Sequence, residues 1–226
     1  MKKIHLRKGV LIAIEGTDGS GKSTQVKMLC DSFRQEGYNV RCLKEPTNGQ
    51  YGQKIRLLAK NGRHLASAEE ELELFLKDRI EDCTNNIRPA LKRRELIFID
   101  RYYFSTIAYQ GALGLDPVMI WNRNEEIAVV PDLVILLDVP VKTGLSRILS
   151  FRKEQHDHFE NEKFLEGVRK LFLNIKELQK LRKTGRHQKS PKIIVIDGRQ
   201  DPTKVFHRIY GLVKDFLSPF ILAEKK

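Results

Sequence analysis

The chain contains little cysteine and no long apolar run. Its three cysteines, Cys30, Cys42 and Cys83, lack the spacing of a metal site, and their odd number argues against a disulfide framework. We therefore expect reduced, structural thiols, as in a cytoplasmic protein. No apolar stretch reaches the ~20 residues that a transmembrane helix needs, and the basic N-terminus lacks the apolar segment of a signal peptide. We expect no membrane partner.

Acidic side chains are too few to balance the basic ones. The 226 residues include 41 Lys and Arg against 29 Asp and Glu, which gives a formal net charge of +12. Much of the excess lies at the N-terminus and in segment 180–189, where no aromatic residue is interleaved for base stacking. We interpret that segment as a solvated basic loop, which disfavours a nucleic-acid partner. The positive field would still attract anionic nucleotides.

Apolar runs and helical patterns alternate along the chain, without internal repeats or low-complexity tracts. The strand-like runs lie at 10–14, 39–43, 96–99, 133–137 and 192–196. The helical patterns lie at 23–35, 53–59, 68–91, 104–112, 117–129, 141–149, 159–182 and 203–216. This alternation predicts an α/β fold of three layers, in which helices cover both faces of a parallel sheet of about five strands.

The length predicts a single domain over residues 1–226, since a composition of 41% hydrophobic and 31% charged residues is ordinary for a globular enzyme. One polar segment, 151–158, interrupts the regular spacing between two helical patterns. We expect it to form a short lid over approximately residues 150–160.

The stretch GTDGSGKS fits the phosphate-loop pattern GxxxxGK[ST] and is flanked by a predicted strand and a predicted helix. In such a loop, backbone N–H groups and the positive end of the helix dipole point at one spot. Lys22 can then reach the β- and γ-phosphates of a nucleotide, and the Ser23 hydroxyl can bind Mg²⁺. The pattern predicts a nucleoside-triphosphate site made by Gly16, Thr17, Asp18, Gly19, Ser20, Gly21, Lys22, Ser23 and Thr24.

Charged residues follow three of the predicted strands. Glu15 follows the first strand, Lys44 and Glu45 follow the second, and Asp100 and Arg101 follow the third. Ligands bind beyond the carboxyl ends of the strands in sheets of this kind. We therefore expect these side chains to meet in one cleft beside the phosphate loop.

A phosphate loop alone occurs in kinases, GTPases, ATPases and helicases. The guanine-reading NKxD pattern is absent from this chain, and the cores of helicases and transport ATPases are usually larger. The chain length and the lid-like segment favour a small-molecule kinase.

An ordered set of motifs resembles the thymidylate kinase (dTMP kinase) family of nucleoside-monophosphate kinases over nearly the whole chain. The matching pieces are 15–24, 45–46, 75–79, 100–102, 105–111, 157–160 and 196–198. The resemblance implies a P-loop NTPase fold that uses ATP and Mg²⁺ to convert dTMP to dTDP for dTTP biosynthesis. It also implies a homodimer formed through helices such as 68–91, and an adenine site near Asp197, Gly198 and Arg199.

The same resemblance implies roles in an acceptor site. Asp18 would accept a hydrogen bond from the sugar 3′-hydroxyl, and Arg101 would clamp the acceptor phosphate with its guanidinium fork. Phe75 would stack on thymine while Arg79, four residues on and on the same helix face, reaches a base carbonyl. The remaining pocket residues would be Glu45, Ser105, Thr106, Tyr109 and Gln110.

Structural alternatives exist for three of these residues and for Asp100. Asp18 could simply form a turn, Phe75 could belong to the core, and Tyr109 could pack against a neighbouring helix. Asp100 could cap the helix that follows it, alone or in addition to a role in metal binding.

The resemblance also assigns the catalytic charges. Lys22, Arg101 and a lid arginine would offset the charge of two anionic substrates, and Mg²⁺ would be held by Ser23, Asp100 and Glu160. Some relatives carry an arginine in the phosphate loop where this chain has Gly19, so the chain resembles the bacterial form, in which the lid supplies it. Arg152 and Arg147 are the candidates.

Two other functions stay open at this point. One is a kinase for another nucleotide or nucleoside, because base selectivity depends on few residues. The other is a nucleic-acid-associated P-loop ATPase, suggested only by the phosphate loop and the basic charge.

Overall fold

In the computed structural model, the described residues are 3–61, 66–151, 158–181 and 190–222, and the side chains of 151 and 158–161 are excluded. Most of the predicted lid, including Arg152, therefore lies outside the described residues, as does most of the basic segment. The Glu160 side chain also lies outside them. None of the helices in the described ranges combines the length and the apolar character needed to cross a bilayer.

The described residues form a five-stranded sheet in the order β2-β3-β1-β4-β5, and each neighbouring pair is parallel. The strands are β1 (Val10–Gly16), β2 (Val40–Lys44), β3 (Leu96–Asp100), β4 (Leu133–Asp138) and β5 (Lys192–Asp197). Each lies within two residues of a predicted strand. β1, β3 and β4 are apolar runs buried along almost their whole length, as is typical of strands covered on both faces. The predicted sheet is confirmed.

The helices before the third strand are α1 (Lys22–Gln35), α2 (Gln50–Asn61), α3 (Ala68–Asp82) and α4 (Arg88–Lys92). Those after it are α5 (Tyr103–Ala112), α6 (Pro117–Ile127), α7 (Val141–Phe151), α8 (His158–Leu173), α9 (Ile175–Leu181) and α10 (Pro202–Leu217). Two long predicted helices are divided in the structure. A π-helical turn, Cys83–Ile87, separates α3 from α4, and Asn174 separates α8 from α9.

Helices cover both faces of the sheet, as the three-layer prediction requires. On β1, Leu11 and Ala13 belong to the core shared with α3, α5, α6 and α8. Val10, Ile12 and Ile14 point to the opposite face and pack in the core shared with α1 and α10. All five of these side chains have no solvent exposure. Because side chains alternate between the two faces of a strand, β1 is buried between two apolar layers. This burial fixes the position of the loop that follows β1.

Backbone hydrogen bonds join the carboxyl ends of β1, β2 and β3. The Arg101 amide donates to the carbonyl of Ile14 at 3.1 Å, and the Glu45 amide donates to the carbonyl of Asp100 at 3.1 Å. The charged residues that follow β1, β2 and β3 therefore meet at one edge of the sheet, as predicted.

Two of the three cysteines are not reduced in the structure. Cys30 on α1 and Cys42 on β2 form a disulfide with an S–S distance of 2.04 Å. Cys83 is a free, buried thiol. The prediction of reduced thiols is therefore wrong for the first pair, because an odd count says nothing about which side chains the fold brings together, and it is confirmed for Cys83.

Candidate active site

The phosphate loop connects β1 to α1 through three glycines with positive φ. Gly16, Gly19 and Gly21 have φ values of 144°, 74° and 96°, a region that disfavours residues with a Cβ. α1 begins at Lys22, whose Nζ lies 2.7 Å from the carbonyl oxygen of Thr17 and 3.4 Å from Ser20 Oγ. Burial and the neighbouring Arg101 charge lower the pKa of Lys22 to about 8. A bound triphosphate would favour the charged amine and raise that pKa.

Gly19 is also held in place by a close backbone approach. A Cβ at this position would lie 2.1 Å from the carbonyl oxygen of Gly144 on α7, and a Cβ at Gly144 would lie 2.5 Å from the Asp18 carbonyl. The loop and α7 are therefore in contact only because both residues are glycine. This contact gives a steric reason for the absence of an arginine at position 19.

Gly19→Ala should destabilise the protein much more than Gly114→Ala. Gly114 also has a positive φ, 103°, but a Cβ there meets no atom within 4 Å. The control should therefore lose only the ~1–2 kcal/mol of a left-handed conformation, whereas the overlap at position 19 should raise the total loss above about 3 kcal/mol. Urea unfolding of both variants measures the difference, and equal losses would contradict the packing explanation.

Ser23 and Asp100 meet at the foot of the phosphate loop. The Ser23 hydroxyl donates to Asp100 Oδ2, and Lys44 Nζ lies 3.4 Å from the same oxygen. Asp100 Oδ1 is buried without a hydrogen-bond partner among the described residues. A hydroxyl and a carboxylate with an unused oxygen suit Mg²⁺, which prefers oxygen ligands and keeps several waters. Within the described ranges no group of three or more His, Cys, Asp or Glu side chains forms a fuller metal site.

Asp18, Arg101 and Tyr109 form one hydrogen-bonded cluster beside the loop. The Arg101 guanidinium pairs with Asp18 Oδ1, and the Tyr109 hydroxyl donates to Asp18 Oδ2 at 2.8 Å. Arg101 Nη2 also lies 3.3 Å from the Tyr109 hydroxyl, and its Nη1 donates to Ser105 Oγ at 3.0 Å. Although burial alone would raise it, the charges of Arg101 and Lys22 hold the pKa of Asp18 well below its usual range.

Arg101 has a left-handed backbone, with φ of 67°, at the corner between β3 and α5. Such a conformation is uncommon for a residue with a side chain and requires support from its surroundings. Asp100 does not cap the following helix: the N-cap residue is Tyr102, which makes no side-chain cap. Instead the Glu15 carboxylate accepts the Tyr102 amide at 2.7 Å. The capping alternative for Asp100 is therefore wrong.

Arg79 is held in a buried polar network. Its guanidinium pairs with Glu45 and donates to the amide oxygen of Asn124 and, at 3.2 Å, to Thr106 Oγ1. The side chain is 1% exposed, so in this structure its hydrogen bonds are directed to protein atoms. Phe75, one turn earlier on α3, is half-buried and belongs to neither of the two described core clusters. This placement disfavours the purely structural interpretation of Phe75.

Gln110 and Tyr109 lie on the buried part of α5. Gln110 Nε2 donates to Glu71 Oε2 at 2.9 Å, and the Gln110 side chain has no solvent exposure. The ring of Tyr109 contacts Phe164 and Phe172 of α8 edge-on, at centroid distances of 6.1 and 6.5 Å. The ring of Tyr109 thus packs on a neighbouring helix, as the structural alternative expects, while its hydroxyl contacts Asp18, so its proposed place in the acceptor pocket stays a prediction.

A family model described as thymidylate kinase matches residues 14–195. The chain belongs to the thymidylate kinase family. It is 50% identical over 164 residues to the thymidylate kinase of Desulfotalea psychrophila, which covers 73% of this chain and 80% of that relative. It is 46% identical to the probable thymidylate kinase of Archaeoglobus fulgidus, over 73% of this chain and 81% of that relative. The thymidylate kinase of Xanthomonas campestris pv. campestris is 40% identical over 91% of this chain and 83% of its own length.

Membership of the thymidylate kinase family makes the chain a nucleoside-monophosphate kinase with ATP as co-substrate, on the P-loop α/β fold predicted above. The geometry agrees with that class, because the phosphate loop and a second cluster of charged side chains share one edge of the sheet. Neither alternative function gains support from these relatives.

Arg147 joins the predicted adenine loop to the phosphate loop through hydrogen bonds. Its Nη1 donates to the carbonyl of Gly198 at 3.0 Å and approaches that of Gly19 at 3.4 Å, and its Nη2 donates to the carbonyl of Arg199 at 3.1 Å. Asp197 pairs with the Arg199 guanidinium at 2.8 Å. Arg147 thus contacts backbone oxygens of both loops, which suits a positioning role more than a role at the transferred phosphate.

Sequence reasoning missed one residue of the cleft, Arg56, and the contacts of another, Glu15. A cleft of about 940 Å³ is lined by Ser23, Lys44, Asp100 and Arg56 among others. Arg56, on α2, donates to the Pro46 carbonyl at 2.9 Å and lacked any sequence signal beyond being a basic residue on a helix. Glu15 was recognised as a strand-end carboxylate, but its contacts across to α5 could not be inferred from its position.

Proposed function

We propose that this protein transfers the γ-phosphoryl group of ATP to dTMP and so forms dTDP for dTTP biosynthesis. The observation that supports this most directly is the Asp18–Arg101–Tyr109 cluster. It places a carboxylate that can accept a sugar hydroxyl's hydrogen bond beside a guanidinium that can bind the phosphate of the same nucleotide. Asp18 is the third residue of the phosphate loop that begins at Gly16, so a nucleotide bound to Asp18 would lie beside the phosphates of a nucleotide bound to the loop.

The reaction we propose needs no general base. The attacking atom is a phosphate oxygen of dTMP, and with a second pKa near 6 it is already anionic at neutral pH. The difficulty is electrostatic, since two anionic groups must approach each other. Lys22, on the loop side, and Arg101, on the acceptor side, supply positive charge in a protected site, where such charges act strongly. Closure of the lid would exclude the water that otherwise hydrolyses ATP.

Mg²⁺ is part of the proposal because Ser23 and Asp100 suit it, with Glu160 as the further ligand proposed from the family resemblance. When bound, the ion would neutralise negative charge on the ATP phosphates. Removal of divalent ions with EDTA should abolish turnover, and added Mg²⁺ should restore it.

On the donor side we propose that adenine lies against the loop of Asp197, Gly198 and Arg199. Arg147 supports this arrangement because it already joins that loop to the phosphate loop. The lid arginine then remains Arg152, with Arg147 as the alternative. On the acceptor side, Phe75, Arg79, Thr106 and Gln110 would form the base pocket with Glu45 holding Arg79.

The direct test is an assay of purified protein with ATP, Mg²⁺ and a panel of nucleoside monophosphates, with and without DNA. Formation of ADP that depends on dTMP supports the proposal. Preference for another acceptor would indicate the first alternative, and hydrolysis stimulated by DNA without any acceptor would indicate the second.

Tyr109→Ala should narrow the preference for dTMP over its ribose counterpart. The Tyr109 hydroxyl is 2.8 Å from Asp18, which places the ring where it can crowd the 2′ position of an acceptor sugar. The ratio of the two kcat/KM values should fall about tenfold, the range for a steric wall of this size. Because the ring also packs on Phe164 and Phe172, Tyr109→Phe is the matched variant that keeps the packing and should keep the ratio. If the ratio of the two kcat/KM values is unchanged in Tyr109→Ala, the proposed steric role of Tyr109 is wrong.

We further propose that residues 1–226 act as one domain and that two copies form a homodimer. Leu57 on α2 and Ile80 on α3 are 57% and 44% exposed, and these two helices pack on each other to form a surface with apolar residues available for a partner. Sedimentation velocity of the wild type and of Leu57→Glu would test the dimer.

We also propose a cytoplasmic location, where ATP and dTMP are made, although disulfides such as Cys30–Cys42 are rare there.

A further inference from the structure

Glu15 is a fully buried carboxylate between the two substrate sites. It is 0% exposed and lies one residue before the phosphate loop. Burial raises the pKa of Glu15 to about 7, while hydrogen bonds and the charges of Arg101 and Lys22 act in the opposite direction. A buried charge of this kind is costly unless hydrogen bonds and nearby positive charge compensate it.

Within the described part of the chain, the Glu15 side chain accepts hydrogen bonds only from the start of α5. Oε1 accepts the Tyr102 amide at 2.7 Å and the Ser105 amide at 3.3 Å, and Oε2 accepts the Ser105 hydroxyl at 2.6 Å. Glu15 therefore binds the first turn of α5 where Tyr102 provides no side-chain cap. These contacts immediately follow the left-handed corner at Arg101.

The Ser105 hydroxyl has only one hydrogen to donate. In its ionised state Glu15 can only accept, so the Ser105 hydrogen points to Glu15, and a lone pair of Oγ accepts from Arg101 Nη1 at 3.0 Å. In that state the order of donors runs from Arg101 through Ser105 to Glu15. An amide at position 15 would direct its NH2 group either at the Tyr102 and Ser105 amides, which can only donate, or at Ser105 Oγ, which would then lose its acceptor at position 15. Either arrangement breaks a hydrogen bond that holds Ser105 and the first turn of α5, and so should displace Ser105 Oγ from Arg101 Nη1.

We propose that Glu15 is a positioning residue of the acceptor site, which acts through Ser105 and the α5 N-terminus to hold the Arg101 fork toward the acceptor phosphate. This inference rests on the proposed function, since it assigns Arg101 to the acceptor. Because Glu15 has no solvent exposure, this role would be exerted through Ser105 and α5 rather than by contact with a substrate. Glu15 sets the direction of the Arg101 guanidinium, and the backbone of Arg101 is itself in an unfavourable conformation.

Glu15→Gln tests the inference because the amide keeps the volume but presents a donor. We expect KM for dTMP to rise about tenfold or more, the effect of removing one hydrogen-bond partner from a charged group, while KM for ATP changes less than about twofold. Ser105→Ala should shift KM for dTMP in the same direction. In the double variant the two effects should not add, because they break one chain of hydrogen bonds.

Asp132→Asn is the matched control for a structural effect. Asp132 is also a buried carboxylate contacting β1, and it accepts from the Leu11 amide at 2.9 Å and from Lys8 Nζ at 2.8 Å. This variant should lower Tm without a change in KM for dTMP. If Glu15→Gln lowers Tm while both KM values stay at the wild-type level, or if the Glu15 and Ser105 effects add fully, the positioning role is overturned.

Crystal structures of ligand-free wild type and Glu15→Gln separate this inference from the proposed function. We expect the contact between Arg101 Nη1 and Ser105 Oγ to be present in the wild type and lost in the variant. Retention of that contact in Glu15→Gln overturns the inference even if dTMP is the acceptor. An inactive wild type that loses the contact on substitution would instead reject the dTMP assignment and keep the positioning role.

Discussion

Replacing Lys22 with alanine should lower kcat about 10²–10³-fold, the loss associated with removing one charge-stabilising group from a transition state. Lys22 is 6% exposed, and its amine lies in the phosphate loop, 2.7 Å from the Thr17 carbonyl. Its charge would act on the transferred phosphoryl group, and in the ligand-free fold burial disfavours that charge, lowering the pKa of Lys22 to about 8. The free energy of unfolding should therefore change by less than about 1 kcal/mol, or ~4 °C in Tm.

Lys27→Ala is the matched control for Lys22→Ala. Lys27 lies on the same helix and pairs with Asp31, but its side chain is 80% exposed. Its removal should leave kcat and both KM values unchanged, since exposed pairs of this type contribute little. Near-normal turnover in Lys22→Ala would remove this lysine from the proposed chemistry. A loss of fold in that variant, seen by circular dichroism, would mean that its role is structural.

Arg101→Ala should lower kcat/KM for dTMP about 10³-fold, which corresponds to ~4 kcal/mol of transition-state stabilisation. Arg101 is the cation that joins Asp18, Tyr109 and Ser105. Its loss would remove the ligand that we propose for the acceptor phosphate, and it would take one hydrogen-bond partner from Asp18. The KM for ATP should change less than about threefold, because the phosphate loop keeps its own contacts.

Arg101→Lys distinguishes charge from geometry. A lysine keeps the positive charge but cannot reproduce the planar fork that reaches both Ser105 and Asp18. We expect it to recover part of the activity and to remain ~10²-fold below wild type. Arg123→Ala provides the control, since Arg123 pairs with Glu73 at 2.7 Å on the half-exposed surface of α6. Full activity in Arg101→Lys would show that a point charge is sufficient.

The parts of the site that follow from local sequence were predictable. The glycine pattern predicts positions with positive φ, and Gly16, Gly19 and Gly21 have such values. The apolar runs predict the parallel strands, whose carboxyl ends lie at one edge of the sheet. The phosphate-loop pattern was enough to place Asp18 at the nucleotide site, and the position of Arg101 after a strand was enough to place it in the cleft, whereas their acceptor roles came from the family resemblance.

Pairings between distant residues could not be derived from spacing. Arg79 is joined to Glu45, 34 residues away, and the Cys30–Cys42 bond joins a helix to the edge strand. Periodicity assigned Glu15 to the end of a strand but could not show that the N-terminus of α5 lies against it. Likewise, the pattern over 68–91 is helical throughout, and the π-helical turn at Cys83–Ile87 changes the hydrogen-bond register without changing the pattern.

The contact between Gly19 and Gly144 has an evolutionary consequence. The carbonyl oxygen of Gly144 occupies the space into which any side chain at position 19 would first have to project. An arginine could therefore enter the loop only after α7 had moved away, and until then such a mutation would cost stability before it could contribute to catalysis. If the lid supplies the catalytic arginine, as we propose, this pair of glycines would act as a steric barrier against a loop-borne arginine, and a transition to that arrangement would require at least one permissive change in α7.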